Sequence, residues 1–267
     1  MILFPNAKIN IGLNIINRRQ DGYHNLETVM YPIALRDAIE LVEAKDLKFS
    51  CSGIDIPGNM EDNLCLKVYQ MMAIDHKLPA VHIHLHKHIP IGAGLGGGSA
   101  DASFLIRLIN KKFELKLSDQ NMEDYASEIG SDCAFFIKNR PVFAYEKGNR
   151  FKDVNLDLKN YYIVLVMPPI HVSTVDAYRG VNIKPVAKQL TELIKLSPDD
   201  WRLTVRNDFE DSVFPKFPKI AGIKSALYSA GAVYASMSGS GASVYGIFNQ
   251  EVQLPELEKD NQVFYNV

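Results

Sequence analysis

The sequence has little that would serve as a staple or an anchor. Among its 267 residues are three cysteines, Cys51, Cys65 and Cys133, odd in number, widely spaced and without a C-x-x-C pair. That argues against a disulfide framework and the usual zinc-ligand spacings, and leaves free thiols in a reducing compartment as the plain reading. Neither sign of charge predominates: 29 Lys+Arg stand against 31 Asp+Glu, a formal net charge of -2. A general nucleic-acid binder, which carries a basic excess, is therefore not expected. The longest apolar run, Tyr161 to Met167, is too short to cross a bilayer. The stretch Met1 to Lys8 shows no basic leader with a long apolar segment behind it, so no secretory signal is expected and a cytoplasmic protein is.

What is present is ordinary globular composition, 47% hydrophobic and 22% charged, which excludes disordered, collagen-like and coiled-coil classes. No internal repeat or low-complexity tract interrupts it. In residues 8–16, Ile9, Ile11, Leu13 and Ile15 alternate with Lys8, Asn10, Gly12 and Asn14, a strand pattern. Further strands are expected at 38–44, 47–51 and 80–89, with a helix from Asp62 to about Asp75. Ser118 is placed to cap a helix ending at Gly130, where a left-handed residue is expected. Strands near 141–145 and 150–155 flank the turn 146–149, and the polar stretch Asp153 to Asn160 marks a domain junction. Beyond it come a buried strand at 161–167, helices near 173–179, 185–195, 206–213 and 217–229, and strands near 232–237, 243–248 and 262–266. Strands and helices without strict βαβ alternation give an α+β chain.

The strongest chemical signal is Pro90-Ile91-Gly92-Ala93-Gly94-Leu95-Gly96-Gly97-Gly98-Ser99-Ala100-Asp101-Ala102, lying between a strand and an amphipathic helix. Glycine permits positive φ and close approach of a ligand to the amides, and the following helix start offers free N–H groups. Together these make a phosphate cradle. A Walker-type loop is excluded because no lysine separates Gly98 from Ser99. The dinucleotide fingerprint is met formally by Gly92, Gly94 and Gly97, but its acid, Glu114, lacks the apolar strand that should hold it.

Three separated stretches fit a third reading. Pro5-Asn6-Ala7-Lys8-Ile9-Asn10-Ile11-Gly12-Leu13, the loop 90–102, and Met237-Ser238-Gly239-Ser240-Gly241-Ala242-Ser243 resemble, in that order, the three motifs of the GHMP small-molecule kinases. Within that superfamily, Arg18-Arg19-Gln20-Asp21-Gly22-Tyr23-His24-Asn25-Leu26 is similar to the segment of the branch acting on a cytidine-diphosphate-linked methylerythritol. The resemblance spans nearly the whole chain. It implies a two-lobed α+β GHMP kinase fold, with a ribosomal-protein-like α/β N-terminal lobe, a ferredoxin-like α+β C-terminal lobe and the active-site cleft between them. The corresponding domains are 1–156 and 157–267. The implied reaction moves a phosphoryl group from ATP, accompanied by Mg2+, to a hydroxyl of a small cytidine-diphosphate substrate. Neither nucleic acid nor membrane is an expected partner, and the oligomeric state is not fixed. A mevalonate- or homoserine-type kinase, an NAD-dependent oxidoreductase and a non-catalytic nucleotide-binding protein are the alternatives.

Phosphoryl transfer asks for positioning, charge neutralisation and a base near the accepting hydroxyl. Lys8 and Asn10, two apart on a strand, point the same way. Asp132 lies between a helix end and an apolar run, where it is either a base or an N-cap. The resemblance implies Asp132 as general base with Lys8 as its electrostatic partner. Ser99 is either a helix cap or a phosphate contact, and Asn63 either a cap or a contact at the adenine end. Lys87 breaks the alternation of its strand and, by the resemblance, reaches the nucleotide, as does the cradle Pro90, Ile91, Gly92, Ala93, Gly94, Leu95, Gly96, Gly97, Gly98, Ser99 and Ala100. The turn holding Ser238 and Gly239 is a hairpin or closes the site. Tyr23 and His24 suit a cytosine, with Tyr178 the opposing aromatic by resemblance. Met30 stands where related kinases often carry an aromatic. His82, His84, His86 and His88 share one strand face, but such neighbours lie about 6.5–7 Å apart, too far for one ion, so no metal site is expected there.

Overall fold

The computed structural model describes residues 1–183 and 188–267. In chain order come β1 (Ile2–Leu3), β2 (Asn6–Arg18), β3 (His24–Arg36), β4 (Ala38–Glu43) and β5 (Lys48–Gly53). Then follow α1 (Leu64–His76), β6 (Val81–Lys87), α2 (Gly97–Lys112), α3 (Asp119–Ile129) and α4 (Phe135–Lys138). Next are β7 (Val142–Tyr145), β8 (Arg150–Asp153), β9 (Tyr162–Met167), α5 (Thr174–Arg179), α6 (Leu190–Leu193) and α7 (Pro198–Trp201). The chain finishes with α8 (Glu210–Val213), α9 (Pro218–Ser229), β10 (Tyr234–Met237), β11 (Val244–Phe248), α10 (Pro255–Glu258) and β12 (Gln262–Tyr265). Two compact units are interleaved along it: one of Met1–Ala7, Leu35–Ile91 and Gly96–Arg140, the other of Lys8–Ala34, Gly92–Leu95 and Pro141–Val267.

In the first unit a sheet of order β1-β4-β6-β5 pairs β4 with β6 antiparallel and β5 with β6 in parallel. Period-2 alternation sends Val81, Ile83 and Leu85 inward, and Lys87 follows them onto the buried side. Helix α2 packs on β4 and on α1, closing the core with Leu105, Ile106, Leu108 and Ile109. On the sheet's other face, Ser50 bridges His82 and His84, and Ser52 bridges His84 and His86, with contacts of 2.8–2.9 Å. Local caps agree with the sequence. Ser118 and Asn121 form a reciprocal capping box at α3. Gly130 corrects the expectation of a left-handed terminus: its φ is -179°, extended backbone open to any residue.

The second unit holds an antiparallel sheet of order β10-β11-β9-β12 and a sheet of order β2-β3-β7-β8. Val164, Val166, Val244 and Phe248 form a core with Ile223 and Leu227 of α9. Strand β3 was not expected from the sequence, because Pro32 and a mixed burial pattern hide its period. Residues 206–209 are not helical. Asn207 bridges in parallel to Leu13, which uses the backbone a helix would need, and only Glu210–Val213 coils. Of the helix expected near 185–195, residues 185–187 lie outside the described residues, and the remainder coils only over Leu190–Leu193. Among the described residues, no helix is long and apolar enough to cross a membrane.

Candidate active site

The glycine loop is built from alternating left-handed residues, with Gly92, Gly94 and Gly96 at φ 67°, 77° and 69°. L-residues with a side chain pay steric strain there. At Gly94 the exclusion is also spatial, since a Cβ would stand 2.1 Å from the carbonyl oxygen of Ser238.

On the first unit's side, Gly96 caps α2 without a side-chain bond, and Ala100 N–H is bonded back to Gly96 O at 2.9 Å. Gly97, Gly98 and Ser99 therefore offer the helix's unused N–H groups, and a Cβ on Gly98 would meet nothing closer than 4.0 Å. This is a backbone cradle suited to phosphate oxygens. Ser99 sits in the first turn behind the Gly96 cap, so the N-cap reading gives way; the Ser103 hydroxyl donates to Ser99 O at 2.8 Å and to Cys133 O at 2.7 Å. Asn63 is a cap, with Oδ1 accepting Cys65 N–H at 2.9 Å at the start of α1.

Beneath that helix start lies a charged cluster. Lys87 Nζ donates to Asp101 Oδ2 at 2.9 Å and also to Asp37 Oδ2, and its side chain is 3% exposed. A Cβ on Gly97 would approach the same ammonium to 3.2 Å. Asp37 Oδ1 accepts the N–H groups of His88 and Ile89 at 2.6 and 2.8 Å. Two carboxyl groups and the ammonium between them thus join both stems of the glycine loop. Burial pushes the Asp101 carboxyl up to about 8, against the pull of Lys87 and with a push from Asp37. For Lys87, burial works downward, but the two carboxylates outweigh it and the net direction is up. Asp132 is half-buried in the turn before α4, and that helix is capped by Ala134, so the N-cap reading of Asp132 does not hold.

Within the second unit, pieces of all three motifs meet. Lys8 Nζ donates to Asn10 Oδ1 at 2.5 Å, Asn10 Nδ2 to Thr28 Oγ1 at 3.0 Å, and the Thr28 hydroxyl to Gly12 O at 2.6 Å. Asn10 N–H donates to Ser238 Oγ at 3.2 Å, and that hydroxyl donates to Gly94 O at 3.0 Å. The Ser243 hydroxyl reaches Ala93 O at 2.6 Å, and Lys8 N–H reaches Leu95 O at 3.0 Å. Tyr245 donates to Asn10 O at 2.9 Å. Gly239 is required at its position, where a Cβ would come within 3.3 Å of Asn10 Oδ1 and Gly94 O. The buried Lys8 ammonium is thus oriented by a neutral amide.

His24 stacks on Tyr178 with centroids 4.9 Å apart and planes at 24°, and Tyr178 stands edge-on to Phe209 at 4.8 Å. Burial, with Arg18 nearby, pulls the His24 imidazole below its usual range. Tyr23 is 63% exposed, its ring approached by Lys147 Nζ at 5.1 Å, and it does not join that stack. Met30 is buried in β3. Sequence reasoning missed Asp37, Asp101, Thr28, Asn207 and Tyr245. Asp101 alone carried a signal, an acid on the apolar face of α2 that has to find a partner.

Comparison with known proteins shows the family. The GHMP kinases N terminal domain profile matches residues 63–140, and the GHMP kinases C terminal profile matches residues 184–262. A Bacteroides fragilis protein named 4-diphosphocytidyl-2-C-methyl-D-erythritol kinase is 51% identical over 262 residues, covering 97% of this chain and 96% of its own. A Cytophaga hutchinsonii protein of the same name is 49% identical over 262 residues, covering 98% and 96%. A solved 4-(cytidine 5'-diphospho)-2C-methyl-D-erythritol kinase superposes with a TM-score of 0.84 at 25% identity, covering 99% of this chain and 98% of that one. A mevalonate kinase shares the fold at a TM-score of 0.74 and 16% identity, covering 99% and 98%. The chain therefore belongs to the GHMP kinase family, with that family's mixed α+β fold, and is an ATP-dependent small-molecule kinase.

Proposed function

We propose that this kinase transfers the γ-phosphoryl group of ATP to the 2-hydroxyl of 4-diphosphocytidyl-2-C-methyl-D-erythritol, a cytoplasmic step of non-mevalonate isoprenoid precursor biosynthesis. The bond from the acceptor oxygen to phosphorus forms, the bond to the β,γ-bridging oxygen breaks, and ADP leaves. Asp132 takes the hydroxyl proton as general base, and Lys8 offsets the negative charge that develops as it does so. The amides of Gly97, Gly98 and Ser99 hold phosphate oxygens. Lys87 serves the nucleotide by fixing the loop stems, since its ammonium is already engaged by Asp37 and Asp101. His24 and Tyr178 provide the face on which the cytosine is read, with Tyr23 at its edge.

Magnesium on the phosphates would neutralise charge on the transferred group. Among the described residues, no three of His, Cys, Asp or Glu are grouped to hold a metal ion. All three cysteines are free thiols, in keeping with a reducing compartment. As sequence domains we propose 1–156 and 157–267, one family profile falling in each, whereas the compact units divide the chain differently, with 8–34, 92–95 and 141–156 in the second.

The observation that carries the reading is the Ser238 hydroxyl, which joins Asn10 of the first motif to Gly94 of the second. The test is ADP release by the pure protein with this cytidine substrate, and with mevalonate and homoserine as controls. Release with the first alone is expected, whereas inactivity of the folded protein, or equal turnover of a control, would sink the assignment. Asp132→Asn should lower turnover at least about 100-fold while ATP still binds by titration calorimetry. Near-normal turnover would remove Asp132 from the base role.

A further inference from the structure

Residues 206–210 carry none of the three motifs, yet much of the second unit's polar and aromatic order runs through them. Leu13 N–H donates to Arg206 O and Asp208 N–H to Leu13 O, both at 2.8 Å, while Asp208 Oδ2 accepts Ile15 N–H at 2.7 Å. The segment is thereby pinned to β2, the strand of Lys8 and Asn10. Asn207 is buried with its amide fully used. Its Nδ2 donates to Met237 O and Gly239 O, both at 2.8 Å, and its Oδ1 accepts Phe209 N–H at 3.0 Å. Those two carbonyls flank Ser238. From the same segment, Glu210 Oε1 accepts Met237 N–H at 2.9 Å, and the Phe209 ring buttresses Tyr178 edge-on at 4.8 Å.

The side chain at 207 has to be an amide. Aspartate keeps the shape but replaces two donors by a carboxylate oxygen facing two carbonyl oxygens, and an apolar residue leaves both carbonyls buried and unpaired. We infer that Asn207 and Phe209 are positioning residues for phosphoryl transfer: Asn207 sets the Ser238 turn, and through it Asn10 and Lys8, while Phe209 sets the His24–Tyr178 stack. The inference rests on the roles proposed above for Lys8 and for the aromatic pair. It assigns the two residues, two positions apart, to opposite kinetic duties, which a general contribution to stability does not do.

Steady-state kinetics and amide hydrogen exchange test it. Asn207→Asp should lower kcat at least tenfold with the acceptor KM within twofold of wild type. Phe209→Leu should raise the acceptor KM at least fivefold with kcat within twofold. Amides over 238–243 should exchange at least tenfold faster in Asn207→Asp, with the remaining strands unchanged, and Asn207→Ser, which keeps one donor, should fall between. Both variants losing kcat and KM together in proportion to their Tm would overturn the assignment, as would unchanged exchange over 238–243. Wild-type ADP release is measured first. Its absence would count against the proposed reaction, and the exchange arm, which needs no substrate, would still decide the positioning role. Should the variants not fold, the wild type decides: the bonded amides of Ser238, Gly241 and Ser243 must exchange as slowly as β10 and β11, and fast exchange overturns the inference.

Discussion

Two polar clusters hold the glycine loop and its surroundings, and they use opposite physics. In the first unit, the Lys87 ammonium lies between the carboxyl groups of Asp37 and Asp101, three ionisable groups almost wholly removed from water. In the second unit, Asn10, Thr28, Ser238 and Tyr245 carry no charge and hold Lys8 and the loop carbonyls by directed hydrogen bonds. A buried charge cluster is strong, tolerant of angle and intolerant of losing a member. A neutral network is weaker per contact, demands exact donors and acceptors, and is indifferent to pH in the physiological range. The stems of the loop are thus fixed by charge, whereas Asn10 and the loop carbonyls beside it are fixed by direction.

The sharpest way to break that contrast is Lys87→Met. It leaves the buried Asp37 carboxylate without its counter-ion, and the expected loss is about 3–5 kcal/mol of stability by urea denaturation. Adding Asp101→Asn should recover part of the loss, because a buried carboxyl that the unfolded chain ionises is replaced by a neutral amide. A single variant as stable as wild type would mean that the cluster contributes nothing. The matching cut in the neutral network is Thr28→Val, which keeps the shape but strips the hydroxyl from between Asn10 Nδ2 and Gly12 O. It should cost about 1–3 kcal/mol, less than the charged cut, and that cost should be the same at pH 6 and pH 8.

The same contrast explains what was legible in the sequence. Lys87 was visible because β6 alternates strictly and a lysine stood at an inward position. Its partner Asp37 was not, since it lies 50 positions away and its burial depends wholly on the tertiary fold. The glycine cradle and the pairing of Lys8 with Asn10 were legible for a similar reason: positive φ and strand period are local properties. Asn207 and Glu210 were hidden because polar residues at the start of an amphipathic stretch read as a solvated helix end, whereas the Asn207 amide is taken up by Met237 O and Gly239 O, and the Glu210 carboxylate by Met237 N–H, the Ser236 hydroxyl and Lys224. Strand β3 escaped notice because Pro32 argues against a strand interior and the residues around it do not alternate. Local chemistry could be read; pairing across long sequence separation could not.

The smallest expected signal is a slope, and it separates the two clusters without disturbing their packing. Asp101 has its carboxyl raised from an ordinary 3.8 to about 8, chiefly by burial, with one oxygen lacking a hydrogen-bond partner. The folded chain therefore holds a proton there that the unfolded chain has already released. Its contribution to stability is fully present below about pH 4, is lost progressively as pH rises toward 8, and changes no further above that. Lys87, raised in the folded state, contributes stability that is lost only above its ordinary 10.5, outside this window. Between pH 5 and pH 8, wild type should thus lose stability relative to Asp101→Asn, with a slope of at most about 1.4 kcal/mol per pH unit for the single proton. Paired urea titrations of the two proteins across that range measure the difference directly. Parallel curves would mean that Asp101 is ionised throughout, and that the loop stem rests on a full ion triad rather than on a carboxyl that keeps its proton.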